Sequence, residues 1–184
     1  MGGVGKYPTL ERQIQYEIHR NSHRSIIFTT LIDLYGLPRD FPGKELIDRN
    51  PSNPRHYALA LEEAFGKAIG HYRFIPHFQL HEYETMLFAD PDAFRVTFGN
   101  CDAAIRGLKH IVASHPSIEL INDGRDTAPS KRIMGLFPRY SSQKSTAGPD
   151  IAEFIGLETI RSKCPHLDAW LAKLESLIWD GPNA

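Results

Sequence analysis

Between Phe74 and Asp90 the hydrophobic pattern changes period within one stretch. Phe74, Phe78 and Leu80 fall on one side of an alternation and Ile75, His77, Gln79 and His81 on the other, which predicts a strand. From Glu82 onward Tyr83, Met86, Leu87 and Ala89, with Phe88, recur at helical spacing until Asp90-Pro91 stops the run. A strand is therefore expected to feed directly into a helix. At the junction stand Gln79, His81, Glu82 and Glu84, four polar groups where the apolar pattern asks for none. In an open α/β sheet such a junction is the carboxyl end of a strand, where ligands and reacting groups collect.

The same reading extends along the chain. Leu10, Ile14 and Ile18 stack at i, i+4 and i+8 and predict a helix over residues 9–20. Ser25 to Asp33 is nearly continuous in β-branched and apolar residues, the pattern of a strand buried on both faces of a parallel sheet and ending in an acid. Gly36, Pro38, Pro42, Gly43, Pro51 and Pro54 predict a long loop over residues 36–54, of the kind that is functional or mobile. Asn53 or Ser52 is placed to cap a helix starting at Pro54, with Tyr57, Leu61, Ala64, Phe65, Ala68 and Ile69 as its apolar face and Gly70 as its end. Residues 26–80 thus make a strand, helix, strand unit, expected to cross over right-handed with parallel strands. That arrangement brings Asp33 to the same sheet edge as the Gln79 to Glu84 cluster.

Beyond Pro91 helices are expected over residues 90–97, 101–114, 129–137, 149–162 and 165–179. The last buries Leu167, Trp170, Leu171, Leu174 and either Leu177 or Ile178 at core spacing. The pattern predicts an α/β protein with a small, mostly parallel sheet flanked by helices and a helical C-terminal half.

Composition narrows the class. The 184 residues are 41% hydrophobic and 23% charged, as expected of one domain with one core over 1–184. A formal net charge of -1 supplies no whole-protein field toward nucleic acid or membrane, so such a partner would have to use a local patch. Cys101 and Cys164 lie far apart in no Cys-x-x-Cys pairing, which argues against a disulfide framework and for a reducing cytoplasm. No apolar run approaches the roughly 18 residues of a membrane span, and no apolar leader opens the chain. The glycine-rich start through Gly5-Lys6 is not a phosphate loop, because Tyr7 stands where that motif needs Ser or Thr.

Three constellations could carry chemistry. Asp33, Glu82 and Glu84 offer carboxylate oxygens to a hard cation such as magnesium. Glu82 and Glu84 would point about 200° apart on an α-helix, so both face one ion only if the helix begins after them, whereas His81 and Glu84 share a face. The plainer alternative makes the two glutamates first-turn acids that complement a helix dipole. His77 and His81 lie on one side of the strand as a possible zinc pair, yet Thr85 stands where a His-Glu-x-x-His helix needs its second histidine. The third constellation is Asn122 to Ile133, where Pro129 opens a helix and Ser130, Lys131 and Arg132 occupy its first turn. Lys131, Arg132, Arg139 and Lys144 lie in a span, 127–149, without one acid, which suits phosphate and equally a solvated basic face. The segment Arg139 to Pro149 adds hydroxyl and amide donors. There is no Gly-x-Ser-x-Gly elbow, and neither cysteine sits in a nucleophile context.

Four ordered motifs carry a resemblance: Phe28 to Pro38, Gln79 to Phe88, Ile121-Asn-Asp-Gly with Pro129 to Ile133, and Gly148-Pro-Asp-Ile-Ala. Together, over nearly the whole chain, they resemble the bacterial domain-of-unknown-function family four-two-seven-six, which is related to the Toprim fold. The resemblance implies a Toprim-like domain that holds magnesium, or manganese in its place, for phosphodiester chemistry. Such domains use a Glu after the first strand and an Asp-x-Asp after a later one. Asp33 matches the first Asp, Tyr35 stands where the second would be, and the family's Glu-Gly strand is expected upstream of this chain's Gly-Gly start. Relative to the family the domain is thus expected to be N-terminally truncated, with residues 117–184 as a helical extension.

The implied function is a nuclease-like component acting on nucleic acid beside an ATPase partner in defence or DNA maintenance. In it Asp33 and Glu82 ligate the metal and His81 or Glu84 orients water or a second ion. Ser130, Lys131 and Arg132 bind phosphate. The rival expectation is a non-catalytic module that docks a partner protein through the 36–54 loop and the basic patch.

Overall fold

The structure, a computed structural model, describes residues 5–47, 53–121 and 126–177. The chain groups into two compact units, Met1–Leu80 and His81–Ala184.

The first unit is the strand, helix, strand arrangement. Helix α1 (Tyr7–Arg20) buries Tyr7 and Ile18, with Leu10 and Ile14 packed beside them. Strands β1 (Phe28–Thr29) and β2 (Ile32–Asp33) precede helix α2 (Pro54–Ile69), and β3 (Phe74–Ile75) and β4 (Phe78–Gln79) follow it. As the connection requires, the strands pair in parallel, Phe28 opposite Phe74 and Asp33 opposite Gln79. Both ends of α2 obey the sequence signals: the Asn53 side chain accepts from His56 N–H, and Gly70 closes the helix in the left-handed conformation at φ 67°. Ser52 lies outside the described residues.

One expectation needs correction here. The 25–33 segment is not one strand buried on both faces. It forms two short pieces whose exposure alternates, leaving Ile27 41% and Leu31 51% exposed while Phe28 and Ile32 pack on the core. Its apolar composition suggested two covered faces, but it pairs with one neighbouring strand and lays one face on the core. The described part of the 36–54 loop has no helix or strand between Gly36 and Pro54, as expected, and it packs on the core. Phe41 is 3% exposed, and the Lys44 ammonium bonds the Leu37 and Pro38 carbonyls. An aromatic cluster explains this: Phe65 of α2 meets Phe41, Phe74, Phe78 and Tyr7 at centroid distances of 4.9, 5.0, 5.9 and 6.2 Å.

The second unit is helical. After a 3-10 helix, Tyr83–Ala89, and a 3-10 turn, Pro91–Phe94, come α3 (Arg95–Phe98), α4 (Asp102–Ala113), α5 (Pro129–Leu136), α6 (Tyr140–Ile155), α7 (Leu157–Lys163) and α8 (Pro165–Ser176). Helix α6 begins nine residues before the expected start at residue 149, since Pro149 sits inside it and costs one backbone bond rather than opening a helix. The Arg139 to Pro149 segment is therefore ordered helix. Gly156, at φ 79°, separates α6 from α7. Helix α8 buries Leu167 and half-buries Trp170 and Leu171, but Leu177 is 43% exposed, and Ile178 lies outside the described residues.

Candidate functional site

The 83–89 segment runs through the middle of the second unit, against α5, α6, α7 and the turn Ile118–Leu120. Thr85 through Phe88 are all buried, so there is no solvent side for an amphipathic α-helix to present. The segment takes the tighter 3-10 winding over seven residues, longer than such runs usually last. Glu82 stays extended just before it, at φ -136°. His81, one residue earlier, is 9% exposed and has φ 68°, a left-handed conformation that costs a non-glycine residue about 1–2 kcal/mol. His81 is thus outside the helical segment and does not share a helix face with Glu84, as a regular helix would have required.

Glu82 and Glu84 go to different helices. Glu82 Oε2 accepts from the backbone N–H of Ser130 at 2.8 Å, in the first turn of α5. That helix has Ala128 at its cap position, which offers no side-chain acceptor, so the carboxylate satisfies a donor that the local sequence leaves open. Glu84, 2% exposed, turns to α6, where its Oε1 meets Lys144 Nζ at 2.7 Å and the Tyr140 hydroxyl at 3.3 Å. Tyr140, Lys144 and Gly148 are four residues apart on α6 and so share one face. The third of them accepts from the Tyr83 hydroxyl through its carbonyl, at 3.2 Å. A Cβ on Gly148 would lie 3.2 Å from the Tyr140 hydroxyl oxygen and 3.3 Å from Tyr83 Cε1, which explains a glycine in mid-helix.

Three of the four motifs therefore converge on residues 82–84. Burial, and then the Glu84 carboxylate, push the Tyr140 phenol far above its ordinary pKa; the same causes raise Tyr83. Both phenols stay protonated and act as donors.

Among the expected phosphate-binding residues, Ser130 has its N–H on Glu82, and Arg132 Nε donates to the Thr127 carbonyl at 2.8 Å. Lys131 is exposed. Residues 122–125 of the third motif lie outside the described residues.

Asp33 belongs to the first unit. It stands exposed at the carboxyl end of β2, beside Gln79 of β4 in register. Gln79 is 1% exposed, and its Oε1 has no hydrogen-bond partner among the described residues. His77 of the same unit, 1% exposed, places Nδ1 3.4 Å from Glu62 Oε1, and that carboxylate also accepts from Phe78 N–H at 2.8 Å.

A second helix-capping carboxylate escaped the sequence reading. Glu119, 4% exposed, accepts from the backbone N–H groups of His166 and Leu167 at the start of α8. The cap position there is Cys164, whose thiol is pushed up to about 12 by burial and then by Glu119. A cysteine before Pro165, where a good cap would be Ser or Asp, was the available signal. The Cys101 thiol is raised as well, chiefly by burial, so neither cysteine is activated as a nucleophile.

The chain is an α/β protein with short parallel strand pairs and a helical second half whose recognisable motifs meet at one acidic segment. It belongs to the family described as Domain of unknown function (DUF4276), whose sequence model matches residues 3–175. No curated protein and no solved structure matches it. Among the described residues no helix is long and apolar enough to cross a membrane.

Proposed function

We propose that this chain is a Toprim-like component of magnesium-dependent phosphodiester chemistry, with Glu82 as its central oxygen ligand. The observation that carries the reading is the way Glu82 is held. One carboxylate oxygen is fixed by the Ser130 N–H at 2.8 Å, and no other described residue hydrogen-bonds the carboxylate. A ligating carboxylate steadied by a hydrogen bond from behind is the usual outer support of a metal site. The donor chemistry also fits, because magnesium takes carboxylate oxygens and completes its shell with water. A bound magnesium ion would polarise a phosphoryl oxygen.

The chain's own residues do the rest. Lys131, exposed and next in the chain to Ser130, meets phosphate charge. Ser130 and Arg132 hold the turn that presents Lys131, and Glu84 positions the 82–84 segment through α6 rather than reaching substrate. Asp33, exposed at its strand end in the first unit, offers a separate carboxylate to magnesium. Manganese is the expected substitute ion. The polynucleotide substrate, the ATPase partner and a role in defence or DNA maintenance belong to the same proposal and rest on the family resemblance.

Melting with and without magnesium tests the reading. Metal at about a hundred times its dissociation constant should add about 2.7 kcal/mol of stability, and Glu82→Ala should remove the gain. A melting curve indifferent to magnesium and manganese would favour the second reading, a non-catalytic protein-docking module. The exposed Ile27 and Leu31 on the β1–β2 face speak for that alternative.

A further inference from the structure

In the first unit, the segments that follow α1 and α2 carry an aromatic and basic surface. Gln15 Nε2 donates to the Ile69 carbonyl at 2.8 Å and ties α1 to the last turn of α2. Between Gly70 and β3 the chain runs His71-Tyr72-Arg73. Tyr72 is 87% exposed, yet its ring is held: His71 stacks on it at 5.0 Å and 24°, and the Arg73 guanidinium carbon lies 5.6 Å from its centroid. The same guanidinium sits 6.0 Å from the Phe28 ring and donates to the carbonyls of Arg24 and Ser22, which ties the segment after α1 to this corner.

The electrostatic setting is mostly basic, with the Glu17 carboxylate nearby, accepting from Asn21 Nδ2 at 3.4 Å. Residues 18–32 and 64–81 contain no Asp or Glu, while Arg20 and Arg24 flank Ser22, whose carbonyl, like that of Arg24, accepts from Arg73. Cations at the end of α1 also complement the helix dipole, and that role accounts for Arg20. It does not account for a large aromatic ring fixed in place and left in water. A pre-oriented ring beside arginines is the combination that binds single-stranded nucleic acid: a base stacks on the ring and the phosphates run along the cations.

We infer that the His71–Tyr72–Arg73 corner, with Arg20 and Arg24, is a binding site for single-stranded nucleic acid. The inference deepens the proposed phosphodiester function and rests on that reading for its link to cleavage. Its test is a binding measurement in EDTA, so it can fail while metal-dependent cleavage succeeds, and the reverse.

Labelled single-stranded DNA and RNA of about 12 nucleotides, within the usual site size, are titrated with the full chain at about 50 and 200 mM salt. Tyr72→Ala should weaken binding about ten- to hundredfold, the cost of one lost stacked base. Tyr72→Phe should retain it within about twofold, since the ring face remains. Arg24→Gln should flatten the salt dependence by about 0.7 in logarithmic slope, the loss of one phosphate contact. Because Tyr72 is so exposed, its replacement leaves the fold intact, and circular dichroism checks this. Absence of binding by the wild-type chain at low salt overturns the inference. So does binding that Tyr72→Ala leaves unchanged, or a duplex bound as tightly as the single strand.

Discussion

Replacing Glu84 with leucine is expected to destabilise the second unit by about 3 kcal/mol, the lower end for breaking a buried ion pair. Glu84 is 2% exposed and its Oε1 serves both Lys144 and the Tyr140 hydroxyl. Leucine removes the acceptor and leaves the phenol of a residue with no exposed surface without that partner. Lys144, whose side chain is 49% exposed, can turn to water, which keeps the cost from the top of the range. Glu84→Gln keeps an acceptor for Tyr140 and should cost about 1 kcal/mol. Trp170 lies on α8 of the same unit, so urea unfolding followed by tryptophan fluorescence reads the change. A leucine variant as stable as wild type would mean that the Glu84 network contributes nothing net.

Phe65→Ala is expected to cost the first unit about 3–5 kcal/mol, the range for truncating a buried phenylalanine. Phe65 has no exposed surface and touches four other rings of its cluster. The loss should reach the 36–47 loop, because Phe41 packs 4.9 Å from Phe65 and anchors it. Trypsin should therefore cut after the exposed Arg39 faster in the variant than in the wild type. Phe65→Leu, which refills most of the volume, should cost less than half as much. An unchanged cleavage rate in Phe65→Ala would show that the loop is held by Lys44 and its carbonyl partners instead.

The elements of the first unit were legible because each rests on local signals. Asn53, Pro54 and Gly70 fix α2, and the strand, helix, strand order fixes the parallel pairing. What the sequence hides is tertiary. The apolar run at 25–33 does not say how many neighbours the strand has, so Ile27 and Leu31 read as buried. Helical spacing after Glu82 does not distinguish an α-helix from the 3-10 winding that the segment takes. Pro149 reads as a helix start, because a proline inside a helix is the rarer choice.

At the candidate site the residues were legible and their pairing was not. Glu82 and Glu84 stand out as polar groups in an apolar run. Their partners, Ser130 and the Tyr140–Lys144 face, lie about fifty residues away and could be matched only in three dimensions.

The most direct test of the central claim is single-turnover cleavage of labelled single- and double-stranded DNA and RNA by the full chain, with magnesium or manganese and with EDTA. Metal-dependent cleavage is expected, falling at least about a hundredfold in Glu82→Gln, the scale on which a lost charge-stabilising group lowers the rate, while the variant stays folded. No cleavage of any substrate with either metal, or cleavage that survives Glu82→Gln at the wild-type rate, would contradict it.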